Sequence, residues 1–144
     1  MDNDVTIIIG EGDEGHFILT KRNIIRWGIK WPIIRFGDGS GILDFFAAAR
    51  EGKCLANRRY VLLLSLSMHN FDCLEVLRAL KEDPDFKDIP TMVLTIATDS
   101  KITSECLKLG CNAILSKPLE RKIFFQALDN IGAGQSLAEI DTFE

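Results

Sequence analysis

The sequence predicts an α/β protein in which a parallel sheet is covered by helices on both faces. Three observations predict this class: short apolar runs alternate with segments of helical periodicity, this pairing recurs five times, and the most apolar run lies in the middle. Because crossovers between parallel strands are right-handed, the connecting helices pack onto the sheet. A chain of 144 residues is long enough for one domain with a buried core.

The first two units each combine a short apolar strand with a helix. They are predicted at Val5–Ile9, Glu14–Trp27, Ile33–Phe36 and Ile42–Arg50. The first strand is β-branched without alternation, as expected for a strand buried on both faces. Its helix has apolar residues on one side and ends at Gly28. Asp38 or Ser40 is expected to cap the second helix.

The last three units follow the same alternation. They are predicted at Tyr60–Leu64, Phe71–Lys81, Thr91–Thr95, Ser100–Leu109, Ala113–Ser116 and Leu119–Ile131. The third strand is the most apolar and is therefore expected at the centre of the sheet. Pro84 breaks the third helix. Ser100 and Gly110 are expected to cap and end the fourth helix, and Pro118 precedes the fifth, where proline is favoured.

This order of elements suits the flavodoxin-like (βα)5 fold, a doubly wound parallel sheet with strand order 2-1-3-4-5. Half of a dinucleotide-binding fold is the alternative. Residues 1–131 are expected to form one domain. Residues 132–144 form a short polar C-terminal tail, which is too small for an output domain.

Composition argues against several classes of function. The net charge is −4, and the longest basic run is the pair Arg58-Arg59, so nonspecific binding to nucleic acid or anionic membrane is not expected. The chain lacks a spanning apolar run and the basic start of a secretory signal. Its cysteines lack metal-binding spacing, which favours buried, reduced thiols in the cytoplasm. His16 and His69 are expected at the surface.

Gly10–Gly15 matches the G-x-G-x-x-G pattern of dinucleotide-binding loops. It follows a strand and opens a helix, but Glu11, Asp13 and Glu14 would repel a pyrophosphate. Nucleotide binding is therefore the less favoured interpretation. Glu11 could instead contribute an oxygen ligand to Mg²⁺, and acidic residues also suit the N-terminus of a helix.

Several motifs in the right order resemble the receiver domain of two-component response regulators, over residues 4–131. They are the turn Met68–Leu74, Thr95 after the fourth strand, Leu109–Asn112, Ser116–Leu119, and Phe36–Gly39 with Leu43–Phe45. The last two segments resemble a single-domain subgroup, some members of which serve bacterial phytochrome kinases.

The resemblance places Ser65 at the position of the phosphoacceptor aspartate, where the third strand ends. It places Glu11, Gly12 and Ser67 in the acidic pocket that holds Mg²⁺ in the family. A serine hydroxyl is a weak nucleophile without an activating base, and Gly12 supplies no carboxylate. The resemblance therefore implies a degenerate site without a cofactor, at which Mg²⁺ binding is lost or weak.

Three residues of the family's pocket are retained, and two switch positions are replaced. The retained residues are Thr95, Lys117 and Pro118. Ile96 stands where a small residue normally admits phosphodonors, and Ile114 stands at the aromatic switch position. Glu11 is the nearest partner left for Lys117, so we expect an ion pair that locks one conformation.

The resemblance implies a non-enzymatic, phosphorylation-independent receiver in two-component (phosphorelay) signalling. It would bind a protein partner, such as a histidine kinase, or a second copy through the face formed by the fourth helix, fifth strand and fifth helix. Of Phe124 and Phe125, one should pack on the sheet and the other at the rim or in an interface, or else both should reach the core around a curved helix. The alternative is an active receiver phosphorylated at Ser65 or at a nearby acid such as Asp72.

Overall fold

A computed structural model describes residues 5–51, 59–66, 68, 72–96 and 100–131. These residues form five strands: β1 (Val5–Gly10), β2 (Ile33–Phe36), β3 (Arg59–Ser65), β4 (Thr91–Thr95) and β5 (Ala113–Ser116). They also form five helices: α1 (Glu14–Arg26), α2 (Gly39–Glu51), α3 (Cys73–Lys81), α4 (Ser100–Lys108) and α5 (Arg121–Asn130).

The strands form one parallel sheet in the order β2-β1-β3-β4-β5. The predicted flavodoxin-like topology is confirmed, and β3 is the central strand. Its residues Tyr60 to Ser65 are all buried, as its apolar run predicts. Pairing is in parallel register on both sides, with Ile8 beside Leu62 and Leu62 beside Thr91.

Two cores lie on opposite faces of the sheet. Along β1, Ile7 and Ile9 belong to one core and Ile8 to the other, because neighbouring strand residues point in opposite directions. The first core is closed by α1 and α5, and the second by α2, α3 and α4. None of the helices in the described part of the chain is long and apolar enough to cross a membrane.

Helix starts are where the prediction differs most from the structure. The second helix begins at Gly39, three residues early, because the Asp38 carboxylate accepts a hydrogen bond from the Gly41 N–H at 3.0 Å and caps the turn. Because glycine has a low helix propensity, the glycines of this first turn do not indicate a helix. The third helix begins at Cys73 behind a capping box formed by Asp72 and Glu75.

The fifth helix begins at Arg121 and not directly after Pro118 as predicted. The peptide bond between Lys117 and Pro118 is cis. Leu119 is buried although it precedes the helix, so its apolar character reflects packing and not helical periodicity. Ser100 is already helical, so its predicted capping role is wrong; the position before it lies outside the described residues.

Candidate functional site

The candidate site lies at the edge of the sheet where parallel strands end and loops begin. The last residues of β3 and β4, Ser65 and Thr95, are both buried there, at 1% and 8% exposure. Glu11 follows the end of β1 directly, and Lys117 follows the end of β5. Because the carboxyl ends of parallel strands converge, residues far apart in sequence meet at this edge.

Lys117 connects the ends of three strands. Its Nζ donates to Glu11 Oε1 at 2.5 Å and to Ser65 Oγ at 2.8 Å. Its backbone N–H donates to the Thr95 carbonyl at 2.9 Å, which fixes the start of the loop beside β4. The ion pair expected between Lys117 and Glu11 is therefore present, and the same ammonium group also binds the residue at the predicted phosphoacceptor position.

This ion pair is buried. The Glu11 side chain is 1% exposed and the Lys117 side chain 9% exposed. Charges so far from water are tolerated only when they are paired and hydrogen-bonded. The second carboxylate oxygen, Glu11 Oε2, accepts the Asp13 backbone N–H at 3.1 Å. The pair is thus held from both sides, and each carboxylate oxygen of Glu11 has a protein donor.

Two residues at the site were not identified from the sequence. His16, expected at the surface, is half-buried, and its Nδ1 lies 3.2 Å from Lys117 Nζ. Lysine can only donate, so this contact is a hydrogen bond when Nδ1 carries no proton. Arg35 donates from Nε and Nη2 to the Glu11 carbonyl at 3.1 and 3.0 Å. Neither contact has a local sequence signal, because the partners are 101 and 24 residues apart.

The glycine-rich loop is built around carboxylates of this chain. Glu11 accepts the backbone N–H of Asp13, and Asp13 accepts the backbone N–H of His16 at 2.9 Å. The latter bond caps α1 and holds the pKa of the Asp13 carboxyl below its ordinary value of 3.8. These donors are the kind that a bound phosphate would need, so the loop geometry does not favour a nucleotide.

Gly10 has a packing explanation as well. A Cβ atom at this position would lie 2.6 Å from Met68 Sδ and 2.8 Å from Ile42 Cδ1. Both distances are shorter than ordinary contacts in a close-packed interior. Packing in the second core is therefore enough to explain the first glycine of the G-x-G-x-x-G pattern.

Ile96 and Ile114, which the family resemblance places at switch positions, have different surroundings. Ile96 is 73% exposed at the end of β4 and contributes to the rim of a small pocket of about 170 Å³. His16, Lys117 and Pro118 also line that pocket. Ile114, in β5, is half-buried against the second core. Ile96 therefore stands beside the entrance to the site, while Ile114 is part of the packing below it.

The donor set does not fit a magnesium cage. Mg²⁺ is bound by hard oxygen ligands, usually including one or two carboxylates, and dehydrates reluctantly. Here Glu11 supplies one carboxylate, which is already paired with an ammonium group, and Gly12 and Ser65 supply none. Across the described ranges, no group of three or more acidic, histidine or cysteine residues is arranged for a metal. Ser67 lies outside those ranges.

Asp72, the acid considered as an alternative acceptor, lies at the start of α3. Its carboxylate accepts the Glu75 backbone N–H at 3.0 Å, and the Glu75 carboxylate accepts the Asp72 backbone N–H at 2.9 Å. Asp72 is exposed, whereas Ser65 is 1% exposed. The accessible carboxylate is therefore engaged in a helix cap, and the hydroxyl at the acceptor position is closed to solvent.

Comparison with known proteins identifies relatives over most of the chain. A receiver domain from Rhodospirillum rubrum is 32% identical, covers 92% of this chain and 94% of its own, and superposes with a TM-score of 0.72. The bacteriophytochrome response regulator RtBRR is 27% identical, covers 91% of this chain and 79% of its own, and has a TM-score of 0.72.

A third relative is similar over a shorter segment. The cyclic di-GMP phosphodiesterase response regulator RpfG of Xanthomonas campestris pv. campestris (strain 8004) is 38% identical over 66 residues, or 46% of this chain. The matched part is only 18% of that protein's length. The response regulator receiver domain model matches residues 46–129, more than half of the chain. With the five-stranded topology described above, these matches show that the chain belongs to the response regulator receiver domain family.

Proposed function

We propose that this receiver domain signals by binding a protein partner and does so without being phosphorylated. The observation that carries the proposal is the position of Lys117, whose ammonium group binds both Glu11 and Ser65. A positive charge of the protein thus lies beside the carboxylate and the residue that would otherwise bind metal and phosphate. The charge of the Glu11 carboxylate is thus balanced by Lys117 without an added cation.

The chemical requirements of phosphoryl transfer also support the proposal that the domain is not phosphorylated. Transfer of a phosphoryl group needs an accessible nucleophile and positive charge placed on the phosphoryl oxygens. Ser65 is 1% exposed, and its hydroxyl oxygen lies 2.8 Å from Lys117 Nζ. A phosphodonor could reach it only if this contact opened. We infer that Ser65 is a structural member of the closed site and that magnesium binding is weak or lost.

The partner that we propose is another protein of two-component signalling. Receiver domains interact with histidine kinases and other proteins, and one relative is a bacteriophytochrome response regulator. The chain carries a net charge of −4, which does not favour nucleic acid or an anionic membrane as a partner. We therefore propose a protein partner in the cytoplasm, with a histidine kinase as the first candidate.

The proposal is tested by intact-mass measurement after incubation with acetyl phosphate, or with a kinase, in the presence of Mg²⁺. The wild-type chain should gain no phosphoryl group. Ser65→Asp alone should also remain unlabelled, because Gly12 still supplies no metal ligand. Gly12→Asp with Ser65→Asp should be partly labelled, and adding Ile96→Ala should increase the rate, since nucleophile and metal site act together.

Each contrary outcome has a distinct meaning. Labelling of the wild-type chain would refute the proposal, and peptide mapping would show whether Ser65 or Asp72 is the acceptor. Clear labelling of Ser65→Asp alone would show that the metal pocket still works. The melting temperature should not respond to Mg²⁺ more than to Na⁺ at matched ionic strength, so a specific rise would contradict the loss of metal binding.

A further inference from the structure

The outer face of α1 carries a surface that combines exposed apolar and basic side chains. Ile18 and Ile25 are 46% and 54% exposed and lie two helical turns apart on the same side. Lys21, Arg22 and Arg26 are exposed around them. Together with Phe17 these residues line a groove of about 470 Å³, and among the described residues its walls belong to α1 alone. We call this surface the α1 groove.

The α1 groove fits an occupant that is both apolar and acidic. Covering two half-exposed isoleucines is favourable because it removes their apolar surface from water. An occupant without acidic groups would desolvate nearby cations without pairing them. Charge complementarity therefore selects a segment in which carboxylates alternate with large apolar side chains.

A segment of this composition is part of the same chain. Residues 137–144 read Leu-Ala-Glu-Ile-Asp-Thr-Phe-Glu, with three apolar anchors, three carboxylates and no basic residue. The anchors are Leu137, Ile140 and Phe143, spaced three residues apart. The carboxylates of Glu139, Asp141 and Glu144 lie between and after them. The segment thus matches the α1 groove in both respects.

The segment follows Ile131, which packs against the same core as α1. Ile131, directly after α5, packs against the first core, as does Trp27, directly after α1. The rings of Trp27 and Phe124 are 6.1 Å apart between centroids, so the end of α1 lies beside the first turn of α5. Thirteen residues can reach about 40 Å, whereas α1 is about 20 Å long. A short tether also gives an effective concentration in the millimolar range.

We propose that residues 132–144 fold back and bind the α1 groove of their own chain, with the apolar anchors on Ile18 and Ile25 and the carboxylates near Lys21, Arg22 and Arg26. The segment then covers α1 and competes with any partner that uses this helix. This contact is independent of the phosphorylation state of the site, so it would hold in either outcome of the mass experiment.

The test uses the full chain with isoleucine methyl groups labelled for NMR. The triple variant Glu139→Lys/Asp141→Lys/Glu144→Lys should shift the methyl signals of Ile18 and Ile25. The signal of Ile42, which is fully buried on the opposite face, should not move. Raising NaCl from about 50 to about 500 mM should move the wild-type signals towards those of the variant, because exposed charge pairs are screened.

A matched pair of variants tests the basic side of the contact. Arg22→Glu should shift Ile18 and Ile25 as the triple variant does. Arg78→Glu, an exposed arginine on α3 with the same charge change, should leave them in place. If the triple variant leaves both signals unchanged, the α1 groove does not bind this segment. If the shifts depend on protein concentration and sedimentation shows a dimer, the segment binds a second copy and the intramolecular proposal is wrong.

Discussion

The charge balance around Lys117 accounts for the way in which this site is closed. One ammonium group and one carboxylate, both buried, balance each other's charge. Arg35 contributes by holding the backbone of Glu11 through two hydrogen bonds to its carbonyl, and Arg35 in turn lies 5.4 Å from the centroid of the Phe17 ring. The position of Glu11 is therefore fixed by its main chain as well as by its side chain.

Lys117→Met is expected to destabilise the fold by about 3 kcal/mol, because it leaves the buried Glu11 carboxylate without its counter-ion. Glu11→Gln alone should be costly for the same reason, since the ammonium group is then left unpaired. The double variant Glu11→Gln/Lys117→Met should be more stable than either single variant, because neither charge remains. Urea unfolding of the four proteins measures this coupling. Additive losses would show that the pair is not a unit.

Three buried cysteines of the second core give a test of pH dependence. Cys73, Cys106 and Cys111 are free thiols, whereas Cys54 lies outside the described residues. Burial raises the pKa of the Cys111 thiol from 9.0 to about 11, and burial raises those of Cys73 and Cys106 as well. Since a buried thiolate is disfavoured, the three thiols should react slowly with alkylating reagents in the native protein.

The stability of the fold should fall as pH rises from about 9 to about 11. Above the ordinary thiol pKa of 9.0 the unfolded chain loses its thiol protons, whereas the buried thiols of the folded chain keep theirs until a higher pH. Each rise in pH within this window therefore favours the unfolded state. The Cys111→Ala variant should show a smaller fall than wild type over the same range, as measured by urea unfolding at several pH values. An identical pH profile for both proteins would show that Cys111 does not contribute.

At the scale of elements, the glycine-rich loop shows that one glycine pattern can reflect either phosphate binding or core packing. The pattern over Gly10–Gly15 is compatible with phosphate binding, but Gly10 is enclosed by Met68, Ile42 and Leu64. Gly10→Ala should therefore lower the free energy of unfolding by about 1–3 kcal/mol through overpacking. Gly37→Ala is the control, because its added Cβ would meet nothing closer than 3.8 Å, a terminal atom of Arg35. Equal stability of the two variants would contradict the packing argument.

The elements themselves could be predicted where periodicity and burial agree. β2, β4 and β5 match their predicted bounds, because each is a short apolar run between clear turn residues. The starts of α2 and α5 could not be placed in this way. The first is set by the Asp38 side chain, and the second is hidden by Leu119, whose apolar side chain is buried outside the helix. The local sequence pattern does not show that the Asp38 side chain starts α2, or that Leu119 is buried outside α5.

The site could be predicted where the ends of parallel strands bring residues together. Strand ends brought Glu11, Ser65 and Lys117 together as expected, because parallel strands end at one edge. His16 and Arg35 were missed, since their contacts depend on how α1 and β2 are oriented. The roles of Gly12, Ile96 and Ile114 rest on the family resemblance and remain predictions, and Ser67 lies outside the described residues.

At the scale of the whole molecule, the proposed absence of phosphorylation implies a binding surface that is always presented. A ligand shifts an equilibrium only by its differential affinity for two states. If no phosphoryl group is bound, no such difference drives a switch. The surface formed by α4, β5 and α5 is the one that the family resemblance implies for contacts with a partner or a second copy. It includes a half-buried aromatic residue, Phe125, beside the fully buried Phe124.

These two adjacent aromatic residues differ in burial. Phe124 is 0% exposed and packs with Trp27, whereas Phe125 is half-buried against the same core, with the Arg121 guanidinium carbon 4.7 Å from its ring centroid. Each of the two arrangements predicted from their adjacent positions is met in part, because both rings contact the core and Phe125 alone is partly exposed. An aromatic ring stacked with arginine at a rim is the kind of group that anchors interfaces.

Phe125→Asp should abolish self-association, measured by sedimentation equilibrium, while lowering stability only by about 1–2 kcal/mol, because the ring is half-buried. Phe124→Asp should unfold the domain, since it places a charge in the first core. Asn130→Asp is the control. It also introduces an aspartate into α5, but at an exposed position, and should change neither self-association nor stability. If the wild-type chain sediments as a monomer at high concentration, a homodimer through this face is wrong, and Phe125→Asp must then be tested against a candidate kinase. If Phe125→Asp unfolds the domain as Phe124→Asp does, the residue belongs to the core and the interface lies elsewhere.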